Sequence, residues 1–245
     1  MRSSGLHIAV AALRAWARER PRALLLALAA AGALYVKLAL AATFTVTSVA
    51  DTAGSTCGAT CTLRQAITAA NASGASGNTI AFNIPAGSCS GGVCTITPGS
   101  ALPSITRAVT IDGSTQSGYS STPVVEIRGS SAGSSTNGLT LSSTSGVTIR
   151  ALSIRDFGGS GIVIDGGSGG HTIAGNHIGV NAAGTTDAGN GAEGINLYNS
   201  PSNTIGGTAT RDRNVISGNG NNGVVITGSA AKSNVVLGNY IGANA

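Results

Sequence analysis

Residues 171–179 read HTIAGNHIG and residues 234–242 read NVVLGNYIG, so Gly-Asn-x-Ile-Gly returns at an offset of 63 residues. Between and before them a shorter phrase, Gly followed by an apolar–x–apolar triplet, occurs four times. It is Gly138-Leu139-Thr140-Leu141, Gly161-Ile162-Val163-Ile164, Gly194-Ile195-Asn196-Leu197 and Gly223-Val224-Val225-Ile226. Self-similarity at a spacing of tens of residues is the signature of a solenoid or array. Each triplet is too short for a helix and alternates with a period of two, which makes it a short strand. Gly, Asn, Ser and Asp punctuate every one. The pattern therefore predicts an all-β solenoid in which one turn of chain makes one coil.

Composition agrees. Apolar residues make up 42% of the chain and aromatic residues only 3%, with 37 glycines among 245 residues. A core of stacked Val, Ile and Leu with tight Gly and Asn turns needs that mixture. The regular apolar spacing argues against disorder, which is expected only in loops such as 115–122 and 129–137.

The net charge of +5 belongs to one end. Six of the fourteen basic residues and one of the nine acidic residues precede residue 43, leaving eight of each after it. The chain from residue 43 onward is neutral, which excludes the basic stripe of a nucleic-acid binder. Residues 1–22 are Arg-rich, residues 23–36 are apolar, and Ala39-Leu40-Ala41 offers a small-x-small cleavage site. This reads as an export signal over residues 1–42, the apolar run being shorter than the roughly 20 residues needed to span a bilayer. An uncleaved membrane anchor is the alternative, because Lys37 falls between the apolar run and the cleavage site. Export fits the cysteines, Cys57 and Cys61 and then Cys89 and Cys94, an even number after a signal. Local pairing is preferred among the possible disulfide patterns. The spacings lack the CxxC knuckle of a zinc site.

After the signal, residues 43–49 alternate as a half-buried strand. A helix is expected from Leu63 to about Asn71. Thr62 is its N-cap, Gln65 completes a capping box, and Leu63, Ala66, Ile67 and Ala70 form one apolar stripe. Residues 80–84 form the next strand. Residues 43–95 together would cap the open end of the solenoid, whose first coil otherwise exposes its edge and its apolar interior. Arg64 and Gln65 would then face solvent. Residues 96–245 carry the coils, with Asn176, Asn219 and Asn239 as stacked turn residues. Residues 241–245 repeat residues 178–182, which lead into a further strand, so the sequence reads as a fragment of a longer array.

Cys61-Thr62-Leu63-Arg64-Gln65-Ala66-Ile67, with Ala69-Ala70-Asn71 after it, resembles the CSLREA motif that marks an N-terminal module of exported bacterial proteins. Thr62 and Gln65 replace Ser and Glu and keep the capping chemistry. The segments Asn203-Thr204-Ile205-Gly206-Gly207 and Arg213-Asn214-Val215-Ile216-Ser217-Gly218-Asn219 resemble the repeats that follow that module. The resemblance implies a right-handed parallel β-helix of the pectin-lyase-like type, secreted or held in the cell envelope.

Such folds include polysaccharide lyases and glycoside hydrolases, which need paired carboxyl groups or a base beside a cation. No Asp-Asp or Asp-x-Asp cluster occurs after residue 42, and the polygalacturonase signatures are missing. Asp156, Asp165 and His171, with Arg155 beside them, are the best fallback candidates. Their plainer reading is as turn residues. No cofactor or metal is expected: His171 and His177 lack a supporting Cys or carboxylate pair, and Gly166-Gly167-Ser168-Gly169-Gly170 lacks the Asp of a calcium repeat. The reading is a non-catalytic structural or adhesive module meeting a polysaccharide or a cell-surface component; a polysaccharide lyase or hydrolase is the alternative.

Overall fold

The computed structural model describes residues 40–242. The export signal read over residues 1–42 falls almost wholly outside the described residues, as do the last three residues of the terminal repeat. Among the described residues no helix is long and apolar enough to cross a membrane.

The chain is mostly β, with its strands in three parallel sheets. The first holds β1 (Thr43–Val46), β2 (Asn78–Phe82), β4 (Val109–Asp112), β7 (Thr148–Arg150), β10 (Thr172–Ala174), β13 (Thr204–Gly206) and β16 (Val235–Leu237). The second holds β3 (Cys94–Ile96), β5 (Val125–Arg128), β8 (Leu152–Arg155), β11 (His177–Ile178), β14 (Val215–Ile216) and β17 (Tyr240–Ile241). The third holds β6 (Leu139–Ser142), β9 (Ile162–Asp165), β12 (Ile195–Tyr198) and β15 (Val224–Thr227). From β7 onward the chain visits the first, second and third sheets in strict rotation.

Register turns the repeat into packing. Along the first sheet Phe44, Ile80, Ile111, Ile149, Ile173, Ile205 and Val236 stand in one row. Along the second, Ile96, Ile127, Ile154, Ile178, Ile216 and Ile241 do the same. Parallel strands lie about 4.8 Å apart, so identical branched side chains pack rung on rung. Ile111, Ile149, Ile173 and Ile205 are all fully buried. At the far rung Ile226, Val236 and Ile241 are 38–48% exposed, because β15, β16 and β17 are edge strands.

The single α-helix among the described residues, α1 (Leu63–Ala72), lies on β1 and β2. It forms for the reasons legible in its sequence. The Thr62 hydroxyl accepts from the Gln65 amide, and the Gln65 side chain accepts from the Thr62 amide at 3.0 Å. Leu63, Ala66, Ile67 and Ala70 are its buried face. Arg64 departs from expectation. It is not solvated but holds Asp51 in a two-pronged pair at 2.8 and 2.9 Å, and also donates to the carbonyls of Ser100 and Ala101. A guanidinium has enough donors to tie three strands of chain together, which a hydrophobic-stripe argument does not consider. Both disulfides are local, Cys57–Cys61 and Cys89–Cys94.

Candidate functional site

Asparagines hold the corners between sheets. The Asn176 Oδ1 accepts the Leu152 amide, Asn214 Oδ1 accepts the Asn176 amide, and Asn239 Oδ1 accepts the Asn214 amide. Each side-chain NH2 in turn donates to a carbonyl of the preceding rung, those of Ile149, Ile173 and Ile205. Gly175 and Gly238, just before two of these asparagines, both sit at φ 67°, and a Cβ at either would collide with a carbonyl of a neighbouring rung. At these two rungs glycine allows the left-handed bend and the close approach, and the asparagine satisfies the buried backbone. Asn219 belongs to a different ladder, with Asn190. Asn214, within the repeat segment 213–219, fills the middle rung, and the short turn Thr210–Asp212 separates it from Gly206.

The three fallback residues occupy three different settings. Asp156, directly after β8 at φ 57°, accepts from Arg128 at 2.9 Å and from Arg155. Arg155 also donates to Glu126 at 2.6 Å, and Glu126, 4% exposed, accepts from the Thr95 hydroxyl at 3.1 Å. Arg155 is thus shared by two carboxylates, and its hydrogen bond to Glu126, more than any other influence, raises its pKa further. Both carboxylates are thus engaged as acceptors by guanidinium N–H groups. Asp165 ends β9 on the third sheet, exposed, in register with Ser142 and Tyr198. Among the described residues its carboxylate has no side-chain partner. His171 is buried at the start of β10. Its Nδ1 accepts the Val147 amide at 3.1 Å and its own amide donates to Asn203. Burial pushes its pKa down to about 4, against a smaller opposing pull from the Thr144 backbone. The structure joins Asp156 to Glu126 through Arg155, and leaves Asp165 and His171 in separate contacts.

Glu126, Ser153 and His177 stand side by side on the outer row of the second sheet. The segment after β11 folds back over this row, closed by an antiparallel bridge between Val180 and Asp187. Ser153 donates to the Val180 carbonyl, and Ala188 accepts from the Asp156 amide. His177 is buried beneath, its pKa lowered by desolvation, the backbone of Asn181 and Ala182 opposing. Among the described residues no three His, Cys, Asp or Glu side chains group as metal ligands.

A polar cleft of about 350 Å³ lies where the chain passes from the third sheet to the first. Segments 74–76, 106–108 and 143–145 and Ser168 line it, each leading into a strand of the first sheet. Arg107 is the one charged residue of its walls. No sequence motif pointed there, because the walls are small polar residues from corners far apart in the chain. No protein-family model and no curated protein matches this chain.

Proposed function

We propose that the chain is an exported right-handed parallel β-helix serving as a non-catalytic structural or adhesive module outside the cell. The rotation of strands through three all-parallel sheets supports the winding, and crossover connections between parallel strands are right-handed in about 98% of cases. On this reading residues 43–95, with α1 laid on β1 and β2, cover the first rung. Two disulfides favour an oxidising compartment. The observation that carries the non-catalytic reading is the fate of the carboxylates. Asp51, Asp112, Glu126, Asp156 and Asp212 pair with arginines, Asp187 accepts the Gly189 amide, and Glu193 accepts from Ser160 and Asn221. Only Asp165 remains without such a partner among the described residues, and a lone carboxylate falls short of a hydrolase pair.

The test is incubation of the folded chain with a panel of acidic polysaccharides, following new reducing ends and the absorbance of unsaturated products. The expected result is no turnover with the circular-dichroism spectrum intact. Turnover abolished by Asp165→Ala would establish a polysaccharide-active enzyme instead.

A further inference from the structure

We propose that the corner cleft around Arg107 is a binding site for an oxyanion group, a carboxylate, phosphate or sulfate carried on a polar molecule. This goes beyond the structural role above and does not depend on it. Charge singles out Arg107. Among the described arginines, Arg64, Arg128, Arg150, Arg155 and Arg211 pair with carboxylates, and Arg213 stacks on Tyr240 at 4.4 Å. Arg107 has neither a carboxylate nor an aromatic partner there.

Its guanidinium is nevertheless held. Nε donates to the Asn71 carbonyl at 3.2 Å. Asn71 in turn donates to the Ser104 carbonyl at 2.7 Å and accepts the Thr106 amide at 3.0 Å, so the last turn of α1 clamps the segment that carries Arg107. Capping the helix end uses Nε alone and leaves both Nη groups without a protein partner among the described residues. A guanidinium fork with two free Nη groups matches an oxyanion in shape and charge.

The walls supply the remaining donors. Thr144 is 7% exposed, and its hydroxyl has no hydrogen-bond partner among the described residues. The hydroxyl is not sealed from solvent, so it can donate to a ligand oxygen in the cleft. Ser143, Ser145 and Ser168 add further unpartnered hydroxyls, and no carboxylate or aromatic side chain lines the cleft. Such walls reject apolar ligands and stacked rings, and the volume falls in the range of small-molecule pockets, about 300–1,000 Å³.

The test is titration of the folded chain with sodium sulfate, inorganic phosphate and acetate, each against chloride at matched ionic strength, followed by amide chemical shifts. Saturable shifts at Arg107 and Thr144 with at least one oxyanion, and none with chloride, are expected. Arg107→Gln should weaken that binding by roughly ten- to a hundredfold, and Arg107→Lys should restore part of it. Thr144→Val, which keeps the shape and removes the hydroxyl, should weaken binding with the melting temperature unchanged. Non-saturating shifts, shifts matched by chloride, or binding indifferent to both Arg107→Gln and Thr144→Val would overturn the site.

Discussion

His171 accepts the Val147 amide through Nδ1 at 3.1 Å, in the place where Asn203 and Asn234 each accept the amide of the aligned residue one rung earlier. An imidazole stands in for an asparagine side chain in the corner ladder. The substitution works only while Nδ1 is an unprotonated acceptor, and burial without a compensating anion enforces that form.

Acid should therefore loosen this corner. The folded pKa of His171 is lowered to about 4 from an ordinary 6.5, so the unfolded chain binds the proton more readily. Its contribution is fully present above pH 6.5, declines as pH falls, and is lost near pH 4. On the order of 3 kcal/mol is the upper limit of that loss. Denaturant titrations at pH 7.5 and 4.5 should show a smaller acid penalty for His171→Asn than for the parent chain. An equal penalty in the two would place the acid sensitivity elsewhere, at His177 first.

The asparagine ladder should be most costly to break in its middle. Asn214→Ala strands the Asn176 amide and the Ile173 carbonyl together, and each buried orphan costs about 1–3 kcal/mol. Asn239→Ala, on the edge rung, is half solvated and should cost less. The midpoints of urea unfolding for the two variants give the comparison.

Arg155 should be more harmful to remove alone than with its partner. Arg155→Leu leaves the carboxylate of Glu126 buried and unpaired, a loss of about 3–5 kcal/mol. Adding Glu126→Leu should recover much of it. A double-mutant cycle on thermal unfolding measures the coupling.

The capping box of α1 should be worth a conventional amount. Thr62→Ala removes the acceptor for the Gln65 amide and the donor to the Thr52 carbonyl at 2.8 Å. A loss of about 1 kcal/mol is expected, visible as a lower unfolding midpoint with the strand signal of the circular-dichroism spectrum preserved.

Much of this architecture was written locally. The Gly-Asn-x-Ile-Gly phrase encodes a left-handed turn, a self-pairing side chain and an inward isoleucine, all within five residues. Thr62, Gln65 and the apolar stripe of α1 are equally local, and so are the two short disulfide loops. The offset of 63 residues proved to be two rungs, from β10 through β13 to β16. In the middle rung the turn Thr210–Asp212 splits the phrase into two pieces, 203–207 and 213–219, although its hydrogen bonds are the same.

What the sequence alone determined is local: strands with a periodicity of two, glycine corners, asparagine turns and a capped helix, each depending on neighbours along the chain. What only the tertiary structure decided is which side chains meet between neighbouring strands. Arg155 reaching Glu126 and His171 taking an asparagine's place follow from parallel register, while Arg64 meeting Asp51 and Arg107 facing a cleft of hydroxyls follow from how the helix and the connecting segments pack on the sheets. Register and packing set residues roughly 13 to 38 apart side by side, and their charges and hydrogen-bonding atoms carry no mark of that distance in the sequence.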